Sequence, residues 1–264
     1  LAVLWLIPTF GLFITSLRPR SEANANGWWN FFASPMQITI ENYSQALSTG
    51  AVPMGQALLN SLVVAVPATI IPILIAAFAA YVFTFMHFKG RDLIFIVIVG
   101  LLVIPNQVAF VPLSILFQNM GIQGQFPTVW LAHAGFGMPL AVYILRNYMA
   151  TLPKSVVESA EIDGASHWQT FWQLIIPMSV PALASFAIFQ FLWVWNDLLV
   201  ALIFLGQGEN TVFTVALAGL LGSRGENWNL VTAGAFLSMV LPMLVFFGLQ
   251  RFFVRGLTAG AVKG

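Results

Sequence analysis

Six apolar stretches, about 1–17, 58–85, 93–117, 127–145, 178–204 and 230–250, alternate with polar connections along the chain. A bilayer core about 30 Å thick requires roughly 20 apolar residues in a helix, and each stretch meets or approaches that length. Together they hold one formal charge, Asp197; every other charged side chain falls in a connection. The longest connections, 18–57 and 146–177, are too short for a separate soluble domain. The pattern predicts an all-α, polytopic membrane protein with six transmembrane helices in a single permease-like domain over 1–264. The first stretch is read as an incomplete first helix rather than a signal peptide, because no basic n-region or small-residue cleavage site accompanies it. Pro8, Pro67, Pro72, Pro105, Pro112, Pro139 and Pro242 lie inside the stretches. Each removes an intrahelical donor and predicts a kink. Such kinks suit a bundle that opens a path, and prolines are also simply commoner in membrane helices than in soluble ones.

Composition sharpens this picture. A length of 264 residues would allow two soluble domains, but charged residues make up only 7% and apolar residues 59%. Soluble domains carry about 25% charged residues. Mean hydropathy is +0.88. The formal net charge of +1 supplies no basic surface for nucleic acid. The absence of cysteine excludes disulfides, thiolate metal sites and cysteine nucleophiles. Basic residues also orient the chain. Lys89, Arg91, Arg146, Lys154, Arg251, Arg255 and Lys263 fall on one side, and Arg18, Arg20 and Arg224 on the other. The richer side is cytoplasmic. It holds the C-terminus and the 146–177 connection, and leaves Trp28, Trp29, Trp130 and Trp228 near the outer surface.

The connection over 153–177 is the most informative segment. Pro153 opens a short helix, with Ser155 and Glu158 at capping-box spacing. Gly164 supplies a stop, since glycine tolerates the left-handed conformation at a helix end. Ser166 caps a second short helix carrying Trp168, Phe171, Trp172 and Ile175 at helical spacing. Two short helices meeting at a glycine predict a knob standing off the membrane, with Glu158, Glu161 and Asp163 facing the cytoplasm. An interfacial helix would favour Lys and Arg over anionic lipid, so the acidic half points instead to a protein partner with basic groups.

On these residues the chain resembles the inner-membrane permeases of ATP-binding-cassette importers. Their cytoplasmic signature is Glu-Ala-Ala, three residues, Gly, nine residues, then Ile-x-Leu-Pro, and Glu158, Ala160, Gly164 and Pro177 fall in register with it. Ser159, Leu174 and Ile176 are conservative departures. The run Asp163-Gly164-Ala165-Ser166 with Trp168-Gln169 resembles the carbohydrate branch. The closing segment 256–264 is similar to the end of the maltose-type G subunit, and 221–228 to α-glucoside permeases. The resemblance implies the type I importer permease fold and a coupling helix at 153–177. Glu158, Ala160, Glu161, Asp163, Gly164 and Ala165, with Lys263 from the tail, would then meet the ATPase. It also implies a second homologous permease, two ATP-binding subunits that bind ATP and Mg, and a periplasmic or lipid-anchored solute-binding protein. The setting would be a bacterial or archaeal cytoplasmic membrane. This chain has no phosphate-loop signature and is expected to hold no cofactor, metal or catalytic site of its own.

An intramembrane ionisable residue is a functional hypothesis by default. At 1.5 Å per residue, Asp197, within Trp193-Val-Trp-Asn196-Asp197, stands about 24 Å above the inner face. Asn106 and Gln107 rise about 20 Å, and His133 lies about 9 Å beneath the outer face. Gln190 is seven residues before Asp197 and shares its helix face. Amides, a carboxylate and aromatic faces suit a neutral polyhydroxylated ligand, and no cationic cluster invites an anion; the resemblance implies a sugar (a disaccharide, an α-glucoside or a related glycoside). Other readings stand beside this one. Asn106 and Gln107 equally suit helix-to-helix hydrogen bonding, and Asp197 suits capping or pairing with a partner permease. A proton-coupled secondary transporter would use Asp197 and His133 as a relay. An intramembrane enzyme would need metal-ligand or triad spacing, which the sequence lacks.

Overall fold

The computed structural model describes residues 2–33, 37–220 and 227–261, with side chains over 3–33, 37–220 and 227–251. All regular structure among them is helical. The helices are α1 (Ala2–Ser16), α2 (Arg20–Ala25), α3 (Glu41–Ser48), α4 (Met54–Phe85), α5 (Arg91–Gly100), α6 (Phe110–Asn119) and α7 (Phe126–Met149). They continue as α8 (Lys154–Ile162), α9 (His167–Thr170), α10 (Ile176–Trp195), α11 (Leu199–Phe204), α12 (Phe213–Leu220) and α13 (Trp228–Ala261). Two compact units emerge, one over 1–64, 124–126 and 195–244, the other over 65–123, 127–194 and 245–264.

Four helices are long and apolar enough to cross a bilayer: 54–85, 126–149, 167–195 and 228–251. The six expected spans are therefore modified in three places. The first is a shorter apolar helix over 3–16. The third is broken between Arg91–Val103 and Asn106–Asn119 by a bend of 95°. Pro105 is the cause, because it has no N–H to return to Leu101 and forces its predecessor out of the helical region. Ile104 accordingly sits at φ −79°, ψ 121°. The fifth span begins far earlier than residue 178. The second short helix expected after Gly164 is no separate element, because α9 runs through a π turn at Phe171–Ile175 into α10. That wider turn directly precedes Pro177, whose missing N–H cannot close an α-helical bond to Gln173.

The first unit is bound by buried polar side chains that serve main-chain groups at helix ends. Asn42 Nδ2 donates to the carbonyls of Ser16 and Arg18, each at 2.8 Å, and its Oδ1 accepts from Asn229 at 2.7 Å. Arg18, only 2% exposed, donates to the carbonyls of Asn26 and Gly27. Asn60 donates to the carbonyls of Glu209 and Thr211, and Ser61 accepts from the Phe213 amide. These bonds fix the non-helical stretches where no helix satisfies the backbone. Beneath them Ala46, Met54, Phe213, Leu220, Leu230 and Ala233 form an apolar core.

The second unit is built on small residues. Ala76, Ala77 and Ala80 of α4 let its backbone approach Ala141, Val142 and Leu145 of α7 and Ala182 and Phe186 of α10. At the end expected to face the cytoplasm, Phe78 stacks on Phe171 at 4.3 Å and on Trp168 at 5.8 Å. The Tyr81 hydroxyl meets His167 Nδ1 at 3.0 Å. The start of the α9–α10 rod is thereby tied to α4.

Ser155 caps nothing; the N-cap of α8 is Pro153, with no side-chain bond. The complete capping box belongs to Ser166 and Gln169, where Ser166 Oγ accepts from the Gln169 amide and Gln169 Oε1 accepts from the Ser166 amide. Loss of an N-cap acceptor costs about 1 kcal/mol. Ser166→Ala is therefore expected to destabilise the start of α9 by that amount and raise amide exchange over 167–170, measured by hydrogen exchange, with 126–149 unchanged.

Candidate functional site

The cytoplasmic knob owes its shape to a helix end. At the close of α8 the Ala165 amide donates to the Ala160 carbonyl at 2.9 Å and the Gly164 amide to the Glu161 carbonyl at 3.1 Å. Those two bonds form a Schellman motif, which needs a left-handed residue between them. Gly164 supplies it at φ +80°. No neighbour lies within 4 Å of where its Cβ would stand, so backbone conformation and not space demands the glycine. Ala160 is thus the carbonyl that accepts the outer bond and Gly164 the left-handed residue of one helix terminus, which explains their spacing. Ala160 and Val157 are buried against the bundle, while Glu158, Glu161, Asp163 and Gly164 are exposed and Ala165 is half-buried. Sequence reasoning passed over Ile162, which is 86% exposed on this face. Its signal was an apolar side chain out of phase with Val157 and Ala160. Lys263 and the segment 221–226 lie outside the described residues.

Within the same unit, the break at Pro105 opens a cavity of about 390 Å³. Asn106 lines it from the turn after the break, Gly135, Phe136 and Gly137 from α7, and Phe189 and Trp193 from α10. No charged side chain lines it. Asn106 and Gln107, expected inside a continuous span, instead open a 3-10 turn, and Gln107 faces outward and exposed. His133 is 1% exposed, with its ring edge-on to Trp193 at 5.5 Å.

Gln190 sits behind this wall, fully buried. Its Nε2 donates to the Ala68 carbonyl at 3.2 Å and to the His133 carbonyl at 3.4 Å, bridging α10 to α4 and α7. The choice of Ala68 has a chemical reason. Four residues on stands Pro72, which has no N–H, so the Ala68 carbonyl loses its intrahelical donor. Gln190 replaces that donor from another helix. Gly137 makes the approach possible, since a Cβ there would lie 2.6 Å from Gln190 Oε1.

Asn196 and Asp197 belong to the other unit. Asp197 was expected within a helix, but α10 ends at Trp195 and the carboxylate lies in the break before α11. Its Oδ2 accepts from the Ala201 amide at 3.1 Å, and its carbonyl accepts from Thr214 Oγ1 at 2.6 Å. The shared helix face with Gln190 is therefore lost. Asn196 is exposed. Among the described residues no group of three or more His, Cys, Asp or Glu is placed to hold a metal ion.

Residues 72–259 match the family described as binding-protein-dependent transport system inner membrane component. The chain is 54% identical to the osmoprotective compounds uptake permease protein GgtD of Synechocystis sp., over all of this chain and 89% of that one. It is also 54% identical to the alpha-glucoside transport system permease protein AglG of Rhizobium meliloti, over 88% of this chain and 62% of that one. Identity to the trehalose/maltose transport system permease protein MalG of Thermococcus litoralis is 34%, covering 89% and 86%. A crystal structure of a bacterial ABC transporter importing alginate superposes with a TM-score of 0.78 at 20% identity, over 96% of this chain and 92% of that one.

Loss of the Gln190 bridge strands the buried Ala68 carbonyl inside the bundle, a penalty of about 1–3 kcal/mol. Gln190→Leu is expected to lower thermal stability in detergent and slow transport. Adding Pro72→Ala to that variant restores an N–H for Ala68 and is expected to recover much of the loss. A double-mutant cycle on melting and uptake reads the coupling directly; strict additivity would mean that the two residues do not act on one carbonyl.

Proposed function

The chain belongs to the family of binding-protein-dependent transport system inner membrane components, and from that premise we propose that it carries a neutral α-glucoside or related glycoside inward, coupled to ATP hydrolysis through α8 and the turn at Gly164. It is a sugar permease of an ATP-binding-cassette importer, seated in the cytoplasmic membrane, and ATP is hydrolysed on separate subunits.

The proposal on substrate is supported by the uncharged cavity beside Asn106. Trp193, Phe136 and Phe189 offer faces for the apolar side of a pyranose, and the Asn106 amide offers both donor and acceptor for hydroxyls. An acidic sugar would find no cation in that lining. Two relatives at 54% identity bear names pointing to osmoprotective compounds and alpha-glucosides, consistent with this reading. The proton-coupled alternative is not favoured, because binding-protein-dependent importers draw on ATP and Asp197 serves a helix end here.

The proposed assembly adds a second homologous permease, two ATP-binding subunits holding ATP and Mg, and a periplasmic or lipid-anchored binding protein. In it Glu158 pairs with a basic group of the ATPase, and Asp163, Gly164 and Ala165 complete the contact surface. ATP can shift the permease only if these contacts are better in one state than the other. The tie from Trp168, Phe171 and His167 to Phe78 and Tyr81 passes any displacement of the knob into α4.

Glu158→Lys is expected to reduce ATPase co-purification and uptake by at least about tenfold, the scale of one broken charge pair, while membrane insertion is unchanged. Normal uptake by that variant would sink the coupling role. Asn106→Ala is expected to raise the KM for a glucoside several-fold, a loss of about 1 kcal/mol for one hydrogen bond, with ATPase assembly intact. An unaltered KM and substrate profile would reassign Asn106 to helix packing.

A further inference from the structure

A second cavity of the same unit, about 540 Å³, lies between α8 and the ends of α4, α5 and α7. Its polar lining carries both signs of charge: Arg91, Arg146 and Lys154 with His87, against Glu158 and Glu161. We propose that this basin binds the headgroup of a membrane lipid of the phosphoethanolamine class, with the phosphate on Arg91 and Arg146 and the ammonium on Glu161.

The charges in the basin do not satisfy each other. Among the described residues the two ion pairs are Arg18–Glu22 and Arg91–Asp92, so no basin cation is within 4.0 Å of Glu158 or Glu161. Asp92, the partner of Arg91, is 77% exposed at its side chain and holds it weakly. Arg146 is fixed in place by the Phe95 ring, 4.8 Å from its guanidinium carbon, and by Asn147 at 3.3 Å. The lining holds three cations and two carboxylates, so a ligand that brings one anion and one ammonium meets charges of both signs, whereas a plain anion leaves the carboxylates without a partner.

Depth selects a lipid over a soluble zwitterion. Arg91 begins α5 and Arg146 lies in the last turn of α7, at the cytoplasmic ends of membrane segments, where basic pockets meet headgroups. Glu161 is on α8, beyond the spans. Arg91 and Arg146 therefore lie nearer the acyl region than the carboxylate does, the order in which phosphate and ammonium follow one another in this lipid class. Beside Arg91, Leu93 is 67% and Ile94 46% exposed, an apolar strip for an acyl chain. Arginine's planar fork suits phosphate, and a primary ammonium can donate to a carboxylate where a quaternary one cannot. Occupancy would tie α8 to the inner leaflet and make coupling sensitive to lipid composition.

The test uses the assembled transporter in detergent, offered phosphatidylethanolamine, phosphatidylcholine and phosphatidylglycerol with identical acyl chains, and reads bound lipid by native mass spectrometry. Phosphatidylethanolamine is expected to be retained about tenfold over phosphatidylcholine, as one charge-assisted bond would give. Glu161→Gln should erase that preference without lowering total retention. Arg91→Gln should lower both zwitterionic lipids together. Equal retention by the unmodified protein, or a preference that survives Glu161→Gln, overturns the proposal. Preference for phosphatidylglycerol would mark a plain anion site and overturn it too. So would retention that appears only after the ATPase subunits are stripped, since the basin would then be theirs.

Discussion

Inside a bilayer there is no water to complete a broken hydrogen-bond ladder, so each proline in a span obliges the protein to find another solution. This chain uses three. At Pro72 the stranded Ala68 carbonyl is given a donor from α10, the Gln190 amide. At Pro105 the ladder is abandoned, and the helix turns through 95° beside a cavity. At Pro177 the preceding turn widens to π geometry and the rod continues. The helix bridge, the cavity and the long α9–α10 rod are local answers to one chemical deficit.

The cytoplasmic side follows a different logic, that of a helix terminus in water. Its donors and acceptors close on themselves through the Schellman bonds of Ala160, Glu161, Gly164 and Ala165. Asp163 is then left exposed at the turn, while Glu158 and Glu161 border the basin beside α8. Ala160 and Val157 bind the knob to the bundle, and Ser166 starts the next helix at once. A rigid short helix, a fixed turn and a long rod in direct succession make a compact mechanical joint, and the aromatic stack on Phe78 ties it to α4.

Much of this was legible in the sequence. The partition of charge from apolar stretches gave the membrane class, and the Glu158 to Pro177 spacing gave the family, because both are set by local periodicity and turn chemistry. Misreadings arose where one proline had several outcomes. Periodicity ran straight through Pro105. It also suggested a separate short helix before 178, where α9 continues through the π turn at Phe171–Ile175 into α10. An apolar run looks the same in an α-helix, a broken helix or a π turn. Asp197 was placed by counting along a helix that stops two residues earlier, at Trp195. Gln190 was legible as an intramembrane amide, but its partner depended on Pro72, more than a hundred residues away and on another helix.

The π turn also bears on how this segment can vary in length. It places an additional residue in one turn of the rod, and each residue added to or removed from a helix rotates all that follows by about 100° around its axis. The twelve residues between Gly164 and Pro177 therefore set an angular phase as well as a distance. One residue gained or lost there would aim the acidic turn in a different direction from the one the bundle now imposes, even if every individual contact chemistry were preserved.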